Sequence, residues 1–303
     1  MRVLATGASG MIGSAVCDAL LARGDDIVGL SRDPARARET NPTVNWHQWQ
    51  PESERPPAIA FEGVDGVVNL IGENINQRLT NAAKERIYAS RVRATKNLVD
   101  GMLAAERTPP VLVSQCAVGY YGDRGEAIVD ESTPAAEDWT GRLCVDWEAA
   151  ALEAAGGEVR VAVLRSAPVL DPHGGLLKQL LLPFKLGVGG PLAGGSQYMP
   201  WIHRDDQVGL YLWALGSERV SGPVNASAPN PVTNREFSKA LGKVLRRPAV
   251  APVPRAVLVA MRGEELTEQI LGSLRVAPRR ALDLGYEFRF PQIEPALRHL
   301  LDR

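Results

Sequence analysis

Residues 6–13 read Thr6-Gly7-Ala8-Ser9-Gly10-Met11-Ile12-Gly13, and the fold follows from how this stretch is read. Glycine stands at every third position. Upstream, Met1 to Ala5 is a short apolar run with strand character; downstream, Met11 to Ala22 carries apolar residues at helical spacing until Arg23-Gly24 ends it. Strand, glycine turn and helix therefore follow one another without a spacer. In that setting the glycines have separate tasks: Gly7 permits the tight turn, Gly10 removes the Cβ that would keep a diphosphate from the backbone, and Gly13 lets the helix pack closely. The helix N-terminus, with Ser9, Met11 and Ile12 beside it, then faces the anion.

Outward from the turn, Ile27 to Leu30, Gly66 to Ile71, Val111 to Ser114 and Val159 to Leu164 read as further strands, with helical stretches at Ala82 to Ala104 and Gly141 to Ala155 between them. Strands alternating with helices imply a parallel sheet covered on both faces. The expected fold is α/β, a Rossmann-type doubly wound parallel sheet with a smaller C-terminal α/β substrate lobe. After Arg165 the texture changes, with glycines at 174–175, 187, 189–190 and 194–195, a run suited to a lid or to plain loop turns. Residues 1–165 are expected to form the dinucleotide-binding domain, with 201–225 returning to it, and residues 166–200 and 226–303 the smaller lobe. Asn234 to Leu245 reads as a helix capped by Thr233 or Asn234, and the tail from Val253 as mainly helical, broken near Pro278 and Pro291.

The sequence also limits the partners. With 34 basic and 35 acidic side chains among 303 residues, the chain has no surplus of cations for nucleic acid or an anionic membrane. Cys17, Cys116 and Cys144 have neither zinc-site spacing nor the density of a disulfide framework, which points to a reducing compartment. No apolar run approaches the roughly 20 residues that span a bilayer, and a strand begins within two residues of the N-terminus where a signal peptide would stand. A cytoplasmic monomer or homodimer acting on a small molecule is expected.

Cofactor choice rests on the end of the second strand. Where NAD-preferring sites carry an acid roughly 20 residues beyond the glycines, this chain reads Leu30-Ser31-Arg32. Ser31 can donate to a 2′-phosphate and Arg32 can make a charge-assisted contact with it, which favours NADP(H). The alternative is that Asp33 serves as the ribose acid one or two places late.

With these residues, Asn69-Leu70-Ile71-Gly72-Glu73-Asn74 and Ala117-Val118-Gly119-Tyr120-Tyr121-Gly122, the sequence resembles the extended and atypical short-chain dehydrogenase/reductases, most closely the nucleoside-diphosphate-sugar epimerase-like proteins. Trp201-Ile202-His203 with Asp206, Asn225-Ala226-Ser227-Ala228-Pro229 and the tail around Gly285-Tyr286-Glu287-Phe288-Arg289-Phe290-Pro291 extend the likeness over the whole chain, the tail resembling that family's C-terminal domain of unknown function. The resemblance implies that Leu70, Gly72, Glu73 and Arg78 lie beside bound NADP(H).

The resemblance also shows a gap. Members of the superfamily use a tyrosine to move the proton and a lysine four residues later to lower its pKa. Matching Glu148 to the glutamate that often follows the lysine puts Cys144 at the lysine position and Thr140 at the tyrosine position. The remaining candidates for catalysis are Tyr120, Tyr121, Cys116 and Ser114; His203 and Lys84 are weaker ones. Three functions stay open: an NADP-dependent oxidoreductase with another proton donor, a non-catalytic NADP(H)-binding regulator, and a nucleotide-sugar epimerase.

Overall fold

The computed structural model describes residues 1–156 and 158–302. Seven strands form one parallel sheet: β1 (Arg2–Thr6), β2 (Asp26–Ser31), β3 (Asn45–Gln48), β4 (Gly66–Asn69), β5 (Val111–Ala117), β6 (Arg160–Ser166) and β7 (Gly222–Ala226). Their order across the sheet is β7-β6-β5-β4-β1-β2-β3, so the chain starts in the middle and winds outward in both directions. Such a reversal opens a crevice at the carboxyl ends of the central strands, where ligands bind.

Strand period sets the two cores. Val3, Ala5 and Val113 face helices α1 (Met11–Ala22) and α7 (Arg204–Gly216), whereas Leu4, Val67 and Leu112 face α4 (Ala94–Leu103) and α5 (Trp139–Leu152), where Leu98 and Trp147 meet them. A third core lies beside these two, where Trp201, Phe184 of α6 (Gly175–Lys185), Phe237 and Leu241 of α8 (Asn234–Leu245) and Leu297 of α12 (Ile293–Leu300) pack together. Thr233 caps α8 through a reciprocal bond with Glu236.

Several local features differ from the sequence expectations. The helix read over 82–104 is two helices, α3 (Asn81–Tyr88) and α4, joined by a π-helical turn at Ala89–Arg93. Strand β3 and helix α2 (Pro34–Thr40) are short and mostly polar, so hydrophobic periodicity did not show them. The glycine run near 187–195 is mixed, with nothing within 4 Å of a Cβ on Gly194 but tight packing at other positions. A Cβ on Gly190 would lie 2.2 Å from the Ala251 carbonyl oxygen and one on Gly189 2.3 Å from the Phe184 ring, so these two glycines allow close packing. The tail holds α9 (Arg255–Arg262), α10 (Glu264–Leu271), α11 (Arg279–Asp283) and α12. Among the described residues no helix is long and apolar enough to cross a membrane.

Candidate dinucleotide site

The glycine turn has the geometry that its spacing asks for. Gly7 has φ +62°, and a Cβ there would stand 2.5 Å from the Leu70 carbonyl oxygen. A Cβ on Gly13 would lie 2.1 Å from the Gly7 carbonyl oxygen, so α1 can sit this close to the turn only with glycine there. Gly10 is the N-cap of α1 and brings no side chain to its first N–H groups, which leaves them for an anion.

In front of this turn lies a cleft of about 650 Å³ whose lining includes Gly7, Ser9, Ser31, Arg32, Arg36 and Glu73, together with Ile71, Gly72, Ser90, Trp49 and the acidic residues Asp33 and Glu52. Of the residues expected at the cofactor, Gly7, Ser9, Ser31, Arg32, Gly72 and Glu73 therefore share one cleft; Gly10, Met11, Ile12 and Gly13 form the start of α1, and Leu70 backs Gly7. Arg36, Trp49 and Ser90 were missed. Arg36 could have been found as the residue one helical turn beyond Arg32, whereas Trp49 and Ser90 reach the cleft only through the tertiary fold.

At the end of β2 the Asp33 amide donates to Ser31 Oγ at 3.1 Å, and Asp33 Oδ1 accepts the Arg36 amide at 3.1 Å. The Asp33 carboxylate is thus the N-cap of α2. Glu73 accepts from Gln77 Nε2 at 2.8 Å and Arg86 Nε at 3.1 Å, and these bonds, Gln77 first, hold its carboxyl below the usual range. It stays ionised at the cleft wall.

Arg78 is placed otherwise than expected. Its guanidinium turns to the Ala260 carbonyl on α9, away from the residues lining the cleft, because the C-terminal helices cover its loop. Lys84 is bound to the same region, 2.7 Å from Glu265 of α10.

The catalytic candidates separate by burial. Ser114 accepts from Asn69 Nδ2 at 3.0 Å inside a buried group with Thr6 and Thr95 that ties β1, β4, β5 and α4 together. Cys116 is fully buried with Sγ 3.7 Å from the Cys144 carbonyl oxygen, and burial pushes its thiol well above the ordinary value, so it is a packed thiol and not a nucleophile. Tyr121 is also fully buried. Its hydroxyl donates to Asn225 Oδ1 at 2.6 Å and accepts from Arg165 at 2.9 Å, and burial pushes its pKa up to about 12. Arg165 is in turn held by both oxygens of Glu148, at 2.7 and 2.8 Å. Tyr120 alone of the four is half-buried, its ring 3.5 Å from the Arg165 guanidinium carbon.

At the positions matched to the family's tyrosine and lysine, Thr140 is buried and bonded to Gln269 of α10, and Cys144 is buried. His203 is fully buried against Phe290, with Nδ1 accepting the Asp205 amide at 2.9 Å and Nε2 3.1 Å from His299 Nδ1; burial lowers its pKa to about 4 and keeps it neutral. It holds a lobe junction and takes no part in the cleft.

Comparisons with known proteins agree with this layout. The NAD dependent epimerase/dehydratase family matches residues 3–226, and a domain of unknown function, DUF1731, matches residues 253–300. An Arabidopsis thaliana protein, the chloroplastic homolog of epimerase family protein SDR39U1, is 38% identical over 99% of this chain and 87% of its own length. The human epimerase family protein SDR39U1, solved with NADPH, is 34% identical with a TM-score of 0.90 over the whole of both chains. A nucleoside-diphosphate sugar epimerase from Corynebacterium glutamicum is 32% identical with a TM-score of 0.79, covering 99% of this chain and 58% of that one. By its turn, its sheet and these matches, the chain belongs to the NAD dependent epimerase/dehydratase family and carries the DUF1731 domain at its C-terminal end.

Proposed function

We propose that this protein binds NADP(H) in the cleft and acts as an oxidoreductase on a small carbonyl or sugar-like compound without the family's Tyr-Lys pair. The adenine end carries this reading. Ser31, Arg32 and Arg36 line it, while the acid at the end of β2, Asp33, is committed to capping α2. A 2′-phosphate there meets two guanidinium groups, and the Asp33 carboxylate, which also lines the cleft, has its Oδ1 taken by the Arg36 amide. The human relative solved with NADPH supports the same choice. The fit is also steric, since side chains at Gly7 and Gly13 would collide with the backbone that forms the cradle.

When bound, the nicotinamide supplies or accepts the hydride. The chain's own part is to hold the diphosphate at the α1 N-terminus, to accept hydrogen bonds from ribose hydroxyls at Glu73, and to offer Tyr120 as the half-buried phenol in the turn just beyond β5. A second reading, an NADP(H)-binding protein without turnover, is favoured by Thr140, which is buried and bonded to Gln269 where the family's tyrosine would stand.

One set of measurements tests both. NADPH should bind more tightly than NADH, and Arg32→Ala should weaken NADPH by about ten- to a hundred-fold with little effect on NADH. Equal affinity of the unaltered chain for the two would overturn the choice of cofactor. NADPH oxidation over a panel of aldehydes, ketones, quinones and nucleotide-sugars should exceed background and be lost in Tyr120→Phe; tight binding with no turnover would select the second reading.

A further inference from the structure

The family places a lysine on α5, but here that position is Cys144, so α5 brings no cation to the site. A guanidinium stands close by. Arg91 lies in the π-helical turn Ala89–Arg93, an insertion that puts one residue out of helical register and recurs at functional sites. Its guanidinium carbon is 5.1 Å from the centroid of the Trp147 ring, which is three residues beyond Cys144 on the same helix. On its other side, a Cβ built on Gly72, a residue of the cleft wall, would be 3.2 Å from that carbon.

The group is incompletely partnered. Nη2 donates to the Glu73 carbonyl at 2.8 Å and Nη1 reaches the Ile87 carbonyl at 3.4 Å. An arginine has five N–H donors, and the acceptors here are neutral carbonyls. Arg165 differs, with both oxygens of Glu148 on it; among the described residues no carboxylate stands within ion-pair distance of Arg91. Burial, the largest influence, pulls the Arg91 pKa down, and the Glu73 carboxylate, beyond ion-pair distance, offsets it only in part, so the cation lacks a paired counter-charge. An anionic ligand in the adjoining cleft would provide one.

We propose that Arg91 is a cofactor-binding residue: it gives the diphosphate and adjoining nicotinamide-side ribose of NADP(H) a fixed positive charge at a site where α5 lacks the family's lysine. The inference rests on the reading of the cleft as an NADP(H) site. It changes what the missing lysine means, because a cation stands beside the site although α5 brings none. Being a guanidinium, that charge does not titrate near neutrality.

The test is titration of the full chain and its Arg91→Met, Arg91→Gln and Arg91→Lys variants with NADPH, NADH and 2′-AMP, at low and high salt. The neutral variants should weaken NADPH and NADH by a similar factor, about ten- to a hundred-fold, leave 2′-AMP unchanged, and reduce the salt dependence of NADPH binding. Arg91→Lys should recover most of the affinity. Arg91→Gln can still donate to the Glu73 carbonyl, so it keeps the test open if Arg91→Met does not fold. Unchanged NADPH affinity in a folded neutral variant would overturn the proposal, as would an equal loss of NADPH and 2′-AMP, which would mark Arg91 as a support of the loop only. If the unaltered chain bound neither dinucleotide, the reading of the cleft would fall and the role of Arg91 with it; binding by the unaltered chain with no effect of Arg91 would overturn the second claim alone.

Discussion

Single residues separate two kinds of polar group in this protein, those that face the cleft and those that hold the fold. Tyr121 belongs to the second. Its hydroxyl is wedged between Asn225 and Arg165, and both partners are buried. Tyr121→Phe keeps the ring but leaves Asn225 Oδ1 without its donor and Arg165 with one acceptor fewer, a loss of about 1–3 kcal/mol. Urea unfolding should register that loss, while NADPH affinity of the folded variant stays unchanged. An unchanged unfolding midpoint together with abolished turnover would return Tyr121 to the catalytic candidates. The pairing itself was out of reach of the sequence. Tyr121 and Asn225 are 104 positions apart and meet only because β7 lies beside β6 at the sheet edge.

At the scale of elements, what was legible was local. The step from β1 through the glycines to α1 is written in consecutive residues, and so is the cap of α8 at Thr233 with Glu236 three places on. The π-helical turn at Ala89–Arg93 was not legible, because one extra residue in a helix barely alters a periodic pattern while it reorients Arg91. Nor could the sequence show that α9 and α10 lie over the loop carrying Arg78, whose guanidinium donates to the Ala260 carbonyl. Another such joint is strong enough to test. The Asp206 carboxylate on α7 accepts the amides of Arg289 at 2.8 Å and Phe290 at 3.0 Å, fixing the tail to the sheet domain. Asp206→Ala strips both amides of their acceptor, and with charge-assisted bonds worth about 1.5–3 kcal/mol each, reduced by water reaching the opened site, roughly 3 kcal/mol should be lost. Denaturant unfolding checks the size, and limited proteolysis should cut the chain within 278–303 sooner than in the unaltered protein; an intact tail at equal protease exposure would show that the apolar contacts of α12 suffice.

For the whole molecule, the same joint makes stability depend on pH. His203 is fully buried where the strand Ile202–His203 enters α7, its ring stacked 3.8 Å from Phe290 and its Nε2 3.1 Å from His299. Since Nδ1 already accepts the Asp205 amide, the neutral ring must carry its proton on Nε2 and donate to His299. Burial, the largest influence, lowers the His203 pKa from 6.5 to about 4, so between these values the unfolded chain binds a proton that the folded one does not. The stabilisation is therefore complete above about pH 6.5 and is lost as the pH falls toward 4, to a total of about 3 kcal/mol. Asp206 acts in the opposite sense, because burial raises its pKa and protonation relieves its cost. Asp130, held low first by Ser132, and Glu294, held low first by Lys243, give up their contributions only as the pH falls below their ordinary values of 3.8 and 4.5, under the interval between pH 7.5 and pH 5. The urea midpoint should then fall between pH 7.5 and pH 5. His203→Asn retains an acceptor for the Asp205 amide but has no ring to titrate, so it should be less stable at pH 7.5 and much flatter across the same interval. A midpoint that falls equally in both proteins would place the proton elsewhere, whereas a flat profile in the unaltered chain would mean that Asp206 offsets His203 throughout the window.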